Sequence, residues 1–192
     1  MKRSPPLAVL IMLIVAAATQ AQENPKSPPP VNPDRAAATH NPHGQLGATG
    51  KVFIGDQAPD FELDGSRGVP VKLSRLRGDW LLLVFADRRD HVVSLRTIQD
   101  DMRDLGVRIV GVCHEKARTL DNYAARDSVP LMLADVTGEV CAEFGLWNSA
   151  RRETVPGFMV LDRDGIVRIA FSGHLLPPEE ISRLTRFAVT GL

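Results

Sequence analysis

The sequence has little cysteine and no excess of charge of either sign. Its 192 residues include two cysteines, Cys113 and Cys141, and these lack the CxxC or CxxxC spacing of common zinc and dithiol sites. Lysine and arginine together number 23, as do aspartate and glutamate, so the formal net charge is zero. This balance gives no indication of a nucleic-acid or membrane-surface partner.

Long apolar runs are also lacking, because the run over residues 7–18 is too short for a comfortable membrane span. Two basic residues precede it, and small residues allow cleavage after Ala18 or Ala21. This pattern predicts an export signal over 1–21 and a periplasmic or extracellular protein, with an uncleaved anchor as the alternative. No cysteine follows the apolar core, which argues against a bacterial lipoprotein.

Residues 22–50 are rich in proline and small polar residues and contain almost no large apolar side chain. Such a segment cannot bury enough surface to offset its ordering entropy, so we predict a disordered or polyproline-like spacer. His40 and His43 lie in it without a cysteine or carboxylate cluster, and we therefore predict no metal site.

The pattern changes at Lys51, and residues 51–192 read as one domain. A hairpin over 52–73 precedes buried strands at 81–85, 107–112 and 130–135, which alternate with helical segments. Apolar residues recur at helical spacing at Leu95, Ile98, Met102 and Leu105, and Gly106 is a helix stop. A hairpin over 157–173 and a helix over 177–189 close the chain, and the apolar face of that helix is predicted to be Ile181, Leu184 and Phe187. The order βαβαβαββα predicts a thioredoxin-like α/β fold, with a mixed central sheet flanked by helices and an N-terminal hairpin extension.

Four segments in this order resemble peroxiredoxins, the AhpC/TSA redoxins. They are IGDQAPDFEL (54–63), LSRLRGDWLLLVF (73–85), VPLMLADVTGEVCAEFGL (129–146) and GFMVLDRDGIVR (157–168). The resemblance extends over almost all of residues 54–190. It implies a thioredoxin-like fold and kinship with thiol peroxidases and other thiol oxidoreductases, although a fold does not by itself establish an activity.

The resemblance also shows departures at the catalytic positions. Peroxiredoxins carry a PxxxTxxC loop after the strand, and the helix N-terminus and a nearby Arg lower the pKa of its cysteine. Matched without gaps from Trp80, the Pro, Thr and Cys positions fall at Asp87, His91 and Ser94, and the Arg position falls at Pro156. In the CxxC register of thioredoxin-type reductases, the two positions fall at Asp90 and Val93.

A serine hydroxyl cannot follow the sulfenic acid cycle, so Ser94 cannot replace the sulfur. The resemblance therefore implies an exported redoxin-like domain that acts as a non-catalytic binding or accessory module. The partner would be an unidentified protein, no cofactor is expected, and dimers of the family make a homodimer one option. Whether any enzymatic activity is retained stays open.

The alternative is a thiol oxidoreductase or antioxidant protein that uses Cys113 and Cys141. Cys113 follows a strand and precedes His114, so a His-activated thiolate competes with a simple buried thiol. Cys141 stands where relatives usually have alanine, which favours packing. Because export implies an oxidising compartment, a Cys113–Cys141 disulfide and two separate thiols both stay open.

Three further alternatives concern the loop and helix after the first buried strand. His91 and Ser94 would share a helix face, so a Ser–His nucleophile is conceivable, with Asp87 and Asp90 nearby but no evident orienting acid. Helix capping by Asp90 or Ser94 explains these residues more simply. The neighbouring arginines, 88 and 89, are predicted to be a solvated loop, with an anion site as the alternative.

A proline before a strand, in TVPG, also resembles a feature of thioredoxins, in which the peptide bond is often cis. The resemblance therefore predicts a cis bond between Val155 and Pro156, and an ordinary trans proline at the strand entrance is the alternative.

Overall fold

A computed structural model describes residues 51–66, 68–124 and 129–191, together with the backbone of 45–46. Only the backbone is described for 123 and 124. These residues belong to one compact unit, Asn32–Leu192. The predicted export signal, His40, His43 and the rest of the predicted spacer apart from 45–46 lie outside the described residues. Within the described part of the chain, no helix is both long enough and apolar enough to cross a bilayer.

The elements follow the predicted alternation of strands and helices. The strands are β1 (Gln45–Leu46), β2 (Glu62–Gly65), β3 (Pro70–Lys72), β4 (Trp80–Ala86), β5 (Val107–Cys113), β6 (Leu131–Ala134), β7 (Trp147–Asn148), β8 (Glu153–Thr154), β9 (Gly157–Leu161) and β10 (Val167–Ser172). The helices are α1 (Arg89–Ser94), α2 (Gln99–Asp104), α3 (Ala117–Ala124), α4 (Glu139–Glu143) and α5 (Pro178–Thr190), with 3-10 turns at Leu73–Leu76 and Leu95–Ile98.

A mixed sheet forms the centre of the fold, with the strand order β1-β10-β9-β4-β5-β6-β2-β3. β4, β5 and β6 are parallel, whereas β9 is antiparallel to both β4 and β10. β2 pairs with β3 as the predicted N-terminal hairpin and joins β6 at the sheet edge. The predicted α/β class and mixed sheet are confirmed. The short strand β1, inside the predicted spacer, and the separate β7–β8 pair were not predicted.

Strand β4 is buried on both faces, as its continuous apolar run predicts. Leu83 and Phe85 face a core that includes Phe144, which follows α4. Leu82 and Val84 face the opposite core, which includes Met102 of α2. Burying each of these side chains stabilises the fold by about 1.5–3 kcal/mol. The strand therefore provides a rigid base for the polar residues that follow it.

Two helices differ from their predictions. The predicted helix around Leu95 begins at Arg89 and is interrupted by the 3-10 turn Leu95–Ile98. Its last part, α2, ends at Asp104, two residues before the predicted stop at Gly106, whose φ is +70°. In α5, Ile181 is buried but Phe187 is 59% exposed, so the prediction for Phe187 is wrong. Phe187 lies about 240° around the helix from Ile181, on the side away from the core.

The predicted cis bond before Pro156 is also wrong, because every peptide bond among the described residues is trans. A trans bond is the ordinary state before proline and is favoured by about 0.5–1 kcal/mol. Pro156 keeps its place at the entrance of β9, where it immediately precedes Gly157.

Candidate functional site

A cavity of 540 Å³ opens at the sheet edge where β4 and β10 end. Both strands are antiparallel to β9, so their carboxyl ends meet at the edge where β9 begins. This is the edge at which open α/β sheets place their ligand sites. The residues that line the cavity are Asp87, His91, Ser94, Leu95, Pro156, Gly173, His174, Leu175, Leu176, Pro177, Pro178 and Ile181.

Four residues singled out from the sequence meet in this cavity, although they come from two distant parts of the chain. Asp87 follows β4, His91 and Ser94 lie on α1, and Pro156 precedes β9. The opposite wall, from Gly173 to Ile181, was missed. It carries no motif of its own. It could have been identified once the strand order was known, because it follows β10, which is parallel to β4 and ends at the same edge of the sheet.

The polar wall of the cavity is formed by the loop after β4 and by α1. His91 Nδ1 lies 3.0 Å from Asp87 Oδ1, so Asp87 supplies the orienting acid that sequence analysis did not identify. Ser94 Oγ, however, donates a hydrogen bond to the main-chain oxygen of His91 at 2.7 Å. The serine hydroxyl is therefore not poised against the imidazole, and the geometry gives no support to a Ser–His nucleophile.

The start of α1 differs from the capping predictions. Arg88 is the N-cap residue, and no side-chain cap hydrogen bond forms there, so neither Asp90 nor Ser94 caps the helix. Asp90 instead lies 3.5 Å from the exposed Arg88. Arg89 is half-buried rather than solvated, and its guanidinium donates to both carboxylate oxygens of Glu115 at 3.0 and 2.9 Å. This pairing occupies the arginine proposed for an anion site.

A close contact between α1 and β5 holds the polar wall in place. A Cβ atom added to Gly111 would lie 2.5 Å from Cγ1 of Val92, which is fully buried. No real side chain tolerates that distance without movement of one partner. Glycine at 111 therefore lets α1, with His91 and Ser94, settle directly onto the sheet.

Cys113 is at the end of β5, beside Ala86 of β4, but it is only 1% exposed. Burial raises the pKa of its thiol to about 12, and the charge of Glu115 adds to this effect, whereas Arg89 opposes it. His114 does not activate the thiol in this arrangement. Its Nδ1 lies 2.9 Å from the main-chain oxygen of Asp135, and its ring packs edge-on against Trp147.

Cys141 lies on α4 and is fully buried in the core. Its Sγ is 3.5 Å from Thr154 Oγ1, and its N–H donates to Oδ2 of the buried Asp135 at 2.8 Å. Burial is the first cause that raises the pKa of this thiol, and the nearby Asp135 carboxylate contributes. The residue packs as a small apolar side chain.

The two cysteines are both free thiols. Cys113 shares its face of β5 with Ile109, whereas Cys141 packs with Val110 and Val112 on the opposite face. Side chains of successive strand residues alternate between the faces, so the sheet itself separates the two sulfur atoms. Of the two alternatives left open by the sequence, the structure has separate buried thiols.

The described residues offer little else that could hold a ligand. No group of three or more His, Cys, Asp or Glu side chains among them could hold a metal ion. A second cavity, of 400 Å³, lies at the opposite edge of the sheet near the starts of β5 and β6. It is lined by Gln99 and Arg103, and by Arg108, whose Nη2 is 2.6 Å from Asp79 Oδ2. None of the sequence-predicted site residues lies there.

Comparison with known proteins agrees with this architecture. Over 131 residues the chain is 29% identical to a peroxiredoxin of Thermoplasma volcanium, and over 124 residues it is 29% identical to the peroxiredoxin Bcp of Escherichia coli. Each match covers 61% of this chain, and the matches span 64% and 76% of those two proteins. The crystal structure of the peroxidoxin BcpB from Mycobacterium tuberculosis superposes with a TM-score of 0.64 at 21% identity, over 73% of this chain and 98% of that one.

The family model of the AhpC/TSA family matches residues 54–170, which is more than half of the chain and includes β2 through most of β10. The two matched relatives bear the name peroxiredoxin, and the solved structure has the same fold. The sequence resemblance to peroxiredoxins is thereby confirmed at the level of family and fold. The chain belongs to the AhpC/TSA family of peroxiredoxins.

Proposed function

We propose that this protein is a peroxiredoxin relative that has lost its catalytic thiol and acts as a non-catalytic binding or accessory module. The observation that carries the proposal is the composition of the cavity at the carboxyl ends of β4 and β10. Asp87, His91, Ser94 and Pro156 line it, and neither Cys113 nor Cys141 does. A binding function would use this cavity without a redox step.

The chemistry of peroxide reduction supports this proposal. A thiolate attacks one peroxide oxygen, the O–O bond breaks, and sulfenic acid and hydroxide form. The sulfur must therefore be both ionised and accessible. Cys113 and Cys141 are almost fully buried, and the pKa of each thiol is raised, so neither meets the two conditions at neutral pH.

The electrostatics of the cavity point the same way. A peroxidatic site needs cationic or hydrogen-bond-donating neighbours, because they stabilise the thiolate. Among the described residues that line this cavity, Asp87 carries the fixed charge, and that charge is negative. Pro156, which stands at the arginine position of peroxiredoxins, has no hydrogen-bond donor. An anion formed at this wall would be repelled rather than stabilised.

The cellular setting belongs to the same proposal. The predicted export signal over 1–21 would take the protein to the periplasm or the extracellular space, and the Pro-rich spacer would tether the domain at a distance from its N-terminus. Its partner would be a protein of that compartment.

The proposal is tested by peroxide consumption of the whole protein, with dithiothreitol or thioredoxin as the reductant. We expect a rate no higher than that of an ordinary free thiol, and the same rate for the double variant Cys113→Ser/Cys141→Ser. Turnover at an enzyme-like rate that a single Cys→Ser change abolishes would establish the oxidoreductase alternative instead.

A matched control introduces a thiol in the cavity. Ser94 is exposed, so Ser94→Cys should give a thiol that a disulfide reagent modifies in the native protein. Because no arginine or threonine is among the described residues that line the cavity, its reaction with peroxide should stay within about tenfold of free cysteine. The control shows that the assays detect an accessible thiol at this place, and fast turnover by this variant would contradict the electrostatic argument.

A further inference from the structure

We propose that the cavity selects an ammonium group carried on an apolar chain, the chemistry shared by a free alkylamine and the lysine side chain of a protein. The inference rests on the proposed function, since it treats the cavity as a binding site, and it names the chemical class of the ligand. It follows from how the hydrogen bonds of the polar wall are already used.

The polar wall presents acceptors rather than donors. A carboxylate only accepts hydrogen bonds, so the proton between Asp87 Oδ1 and His91 Nδ1 belongs to the imidazole. The Ser94 hydroxyl proton is likewise directed at the main-chain oxygen of His91. The atoms of these side chains that remain available to a ligand are hydrogen-bond acceptors. They are Oδ2 of Asp87, Oγ of Ser94 with its lone pairs and, when the imidazole is neutral, Nε2 of His91.

The charge of the polar wall also favours a cationic ligand. No lysine or arginine is among the described residues that line the cavity, and Asp87 contributes one negative charge. Arg88 and Arg89, which follow Asp87, are engaged elsewhere, with Asp90 and Glu115 respectively, and Arg96, which follows the lining residue Leu95, does not itself line the cavity. A ligand with three N–H donors and a positive charge therefore complements the wall, whereas a carboxylate or phosphate would meet acceptors and repulsion.

The other wall requires an apolar body. Leu175 and Leu176, both partly exposed, contribute aliphatic surface, and Pro177 and Pro178 extend it. Ile181 lines the same wall but is only 1% exposed. His174, whose ring packs edge-on against Phe171, forms the rim without a fixed charge when neutral. The volume of 540 Å³ is within the usual range for small-ligand sites, so a short alkyl chain fits with its head at Asp87.

The first test compares three six-carbon probes by calorimetry or ligand-observed NMR at low ionic strength. Hexylammonium should bind the whole protein most tightly, hexanol less tightly and hexanoate least. Butylammonium should bind more weakly than hexylammonium, because less apolar surface is buried. Added salt should weaken the binding of the amines but not that of hexanol.

Paired variants locate the site. Asp87→Asn keeps the shape of the side chain and should weaken hexylammonium binding about fivefold, the size expected for a partly exposed charge pair. Asp90→Asn is the control, because Asp90 is an exposed carboxylate three residues after Asp87 that does not line the cavity. That variant should bind hexylammonium as the unmodified protein does.

The two sources of the ammonium are separated with a short peptide, Leu-Lys-Leu, acetylated and amidated at its ends, and its acetyl-lysine counterpart. Binding of the lysine peptide more tightly than hexylammonium, with loss on lysine acetylation, identifies a protein source. Tighter binding of the free amine identifies a small molecule.

The proposal is overturned if hexanoate binds as well as hexylammonium, if Asp87→Asn and Asp90→Asn behave alike, or if no amine shows saturable binding. These outcomes are independent of the peroxidase assay. Enzyme-like peroxide turnover would refute the non-catalytic proposal whether or not amines bind. Failure of the amines to bind would refute the ligand proposal alone and would leave the non-catalytic proposal standing.

Discussion

At the level of single residues, a reactive thiol differs from a structural one in whether its sulfur can carry charge. Cys113 and Cys141 are both almost completely removed from solvent, and burial is the leading cause that raises the pKa of each. Ser94, by contrast, is exposed at the cavity but has no sulfur. The protein thus has two thiols that solvent does not reach, whereas the exposed residue at the cavity has no thiol.

This distribution predicts how the thiols titrate. With the pKa of Cys113 raised to about 12, an aromatic disulfide reagent at pH 8 should leave the native protein almost unmodified and should react with both thiols after denaturation. The count is made by absorbance with and without denaturant. Rapid modification of one thiol in the native state would show that the buried arrangement opens readily and would revive the redox alternative.

Asp162, in the turn between β9 and β10, is the buried carboxylate with the clearest electrostatic role. Burial alone would raise its pKa, but the N–H groups of Ile166 and Asp164 and the guanidinium of Arg168 outweigh it and lower the pKa. Arg168 Nη2 lies 2.6 Å from Oδ2, and the two N–H groups donate to Oδ1 at 2.9 and 3.0 Å. The ionised form is therefore favoured by folding.

The sign of the pH dependence follows. A lowered folded-state pKa adds stability above the carboxyl value of the unfolded chain, about 3.9, and that stability is lost as the pH falls through the folded-state value. Asp162→Asn should lower the free energy of unfolding by about 1–3 kcal/mol at pH 7, and the difference should shrink below about pH 4. Urea unfolding measures both.

The control for this prediction is Asp164→Asn, in the same turn, where the side chain is exposed. It should change the stability by no more than about 0.5 kcal/mol. Equal losses for both variants, or a difference for Asp162→Asn that grows as the pH falls, would contradict the assigned pKa direction.

At the level of elements, the sequence was informative where periodicity and burial act locally. The apolar run of β4, the parallel partners β5 and β6, the last hairpin and the stop at Gly106 were all predicted from patterns within single segments. The predictions failed where tertiary contacts decide. The 3-10 turn within the α1–α2 segment, the exposed Phe187 and the missing cap of α1 all depend on how a helix lies on the sheet.

The candidate site shows the same division. The positions on one wall, where the residues of the peroxiredoxin motif are substituted, were predicted from a motif match, because the strand, the loop and the helix are consecutive in sequence. The second wall, from Gly173 to Ile181, lies 79 or more positions after Ser94 and meets it only because β10 is parallel to β4. The Asp87–His91 contact joins a residue of the loop after β4 to the first turn of α1, so it depends on how that loop enters the helix.

The contact between Gly111 and Val92 predicts a coupling between β5 and α1. Gly111→Ala should lower the free energy of unfolding by about 1–3 kcal/mol, because the new methyl group overlaps a fully buried valine. Val92→Ala should cost a similar amount by leaving a cavity. In the double variant the added methyl occupies the vacated space, so its loss should be smaller than the sum of the two single losses.

A double-mutant cycle from urea unfolding measures this coupling. Strictly additive losses would mean that the methyl group added at position 111 does not occupy the space vacated at position 92, and would contradict the proposed contact. Chemical shifts of the His91 ring then report whether the polar wall moves, since Gly111→Ala should shift them and the double variant should restore them.

At the level of the whole molecule, the described domain follows a predicted signal and a predicted spacer. The predicted boundaries, a signal over 1–21, a spacer over 22–50 and a domain over 51–192, place the shift in composition just before β2. The structure adds one detail, since Gln45–Leu46 pair with β10 and so bring the end of the spacer to the sheet. The strand partner of Gln45 is Ser172, immediately before the cavity wall at Gly173.

Export is the cellular setting of the proposed function, and it is directly measurable. The full chain expressed in a Gram-negative host should appear in the periplasmic fraction with its new N-terminus at residue 19 or 22, as determined by intact mass. Replacing two leucines of the 7–18 run with arginine should keep the full-length chain in the cytosol, because the apolar core is what the export machinery recognises. A full-length unmodified chain in the cytosol would refute the export prediction. It would also remove the oxidising setting, and the buried, reduced Cys113 and Cys141 would then be the ordinary state of an intracellular protein.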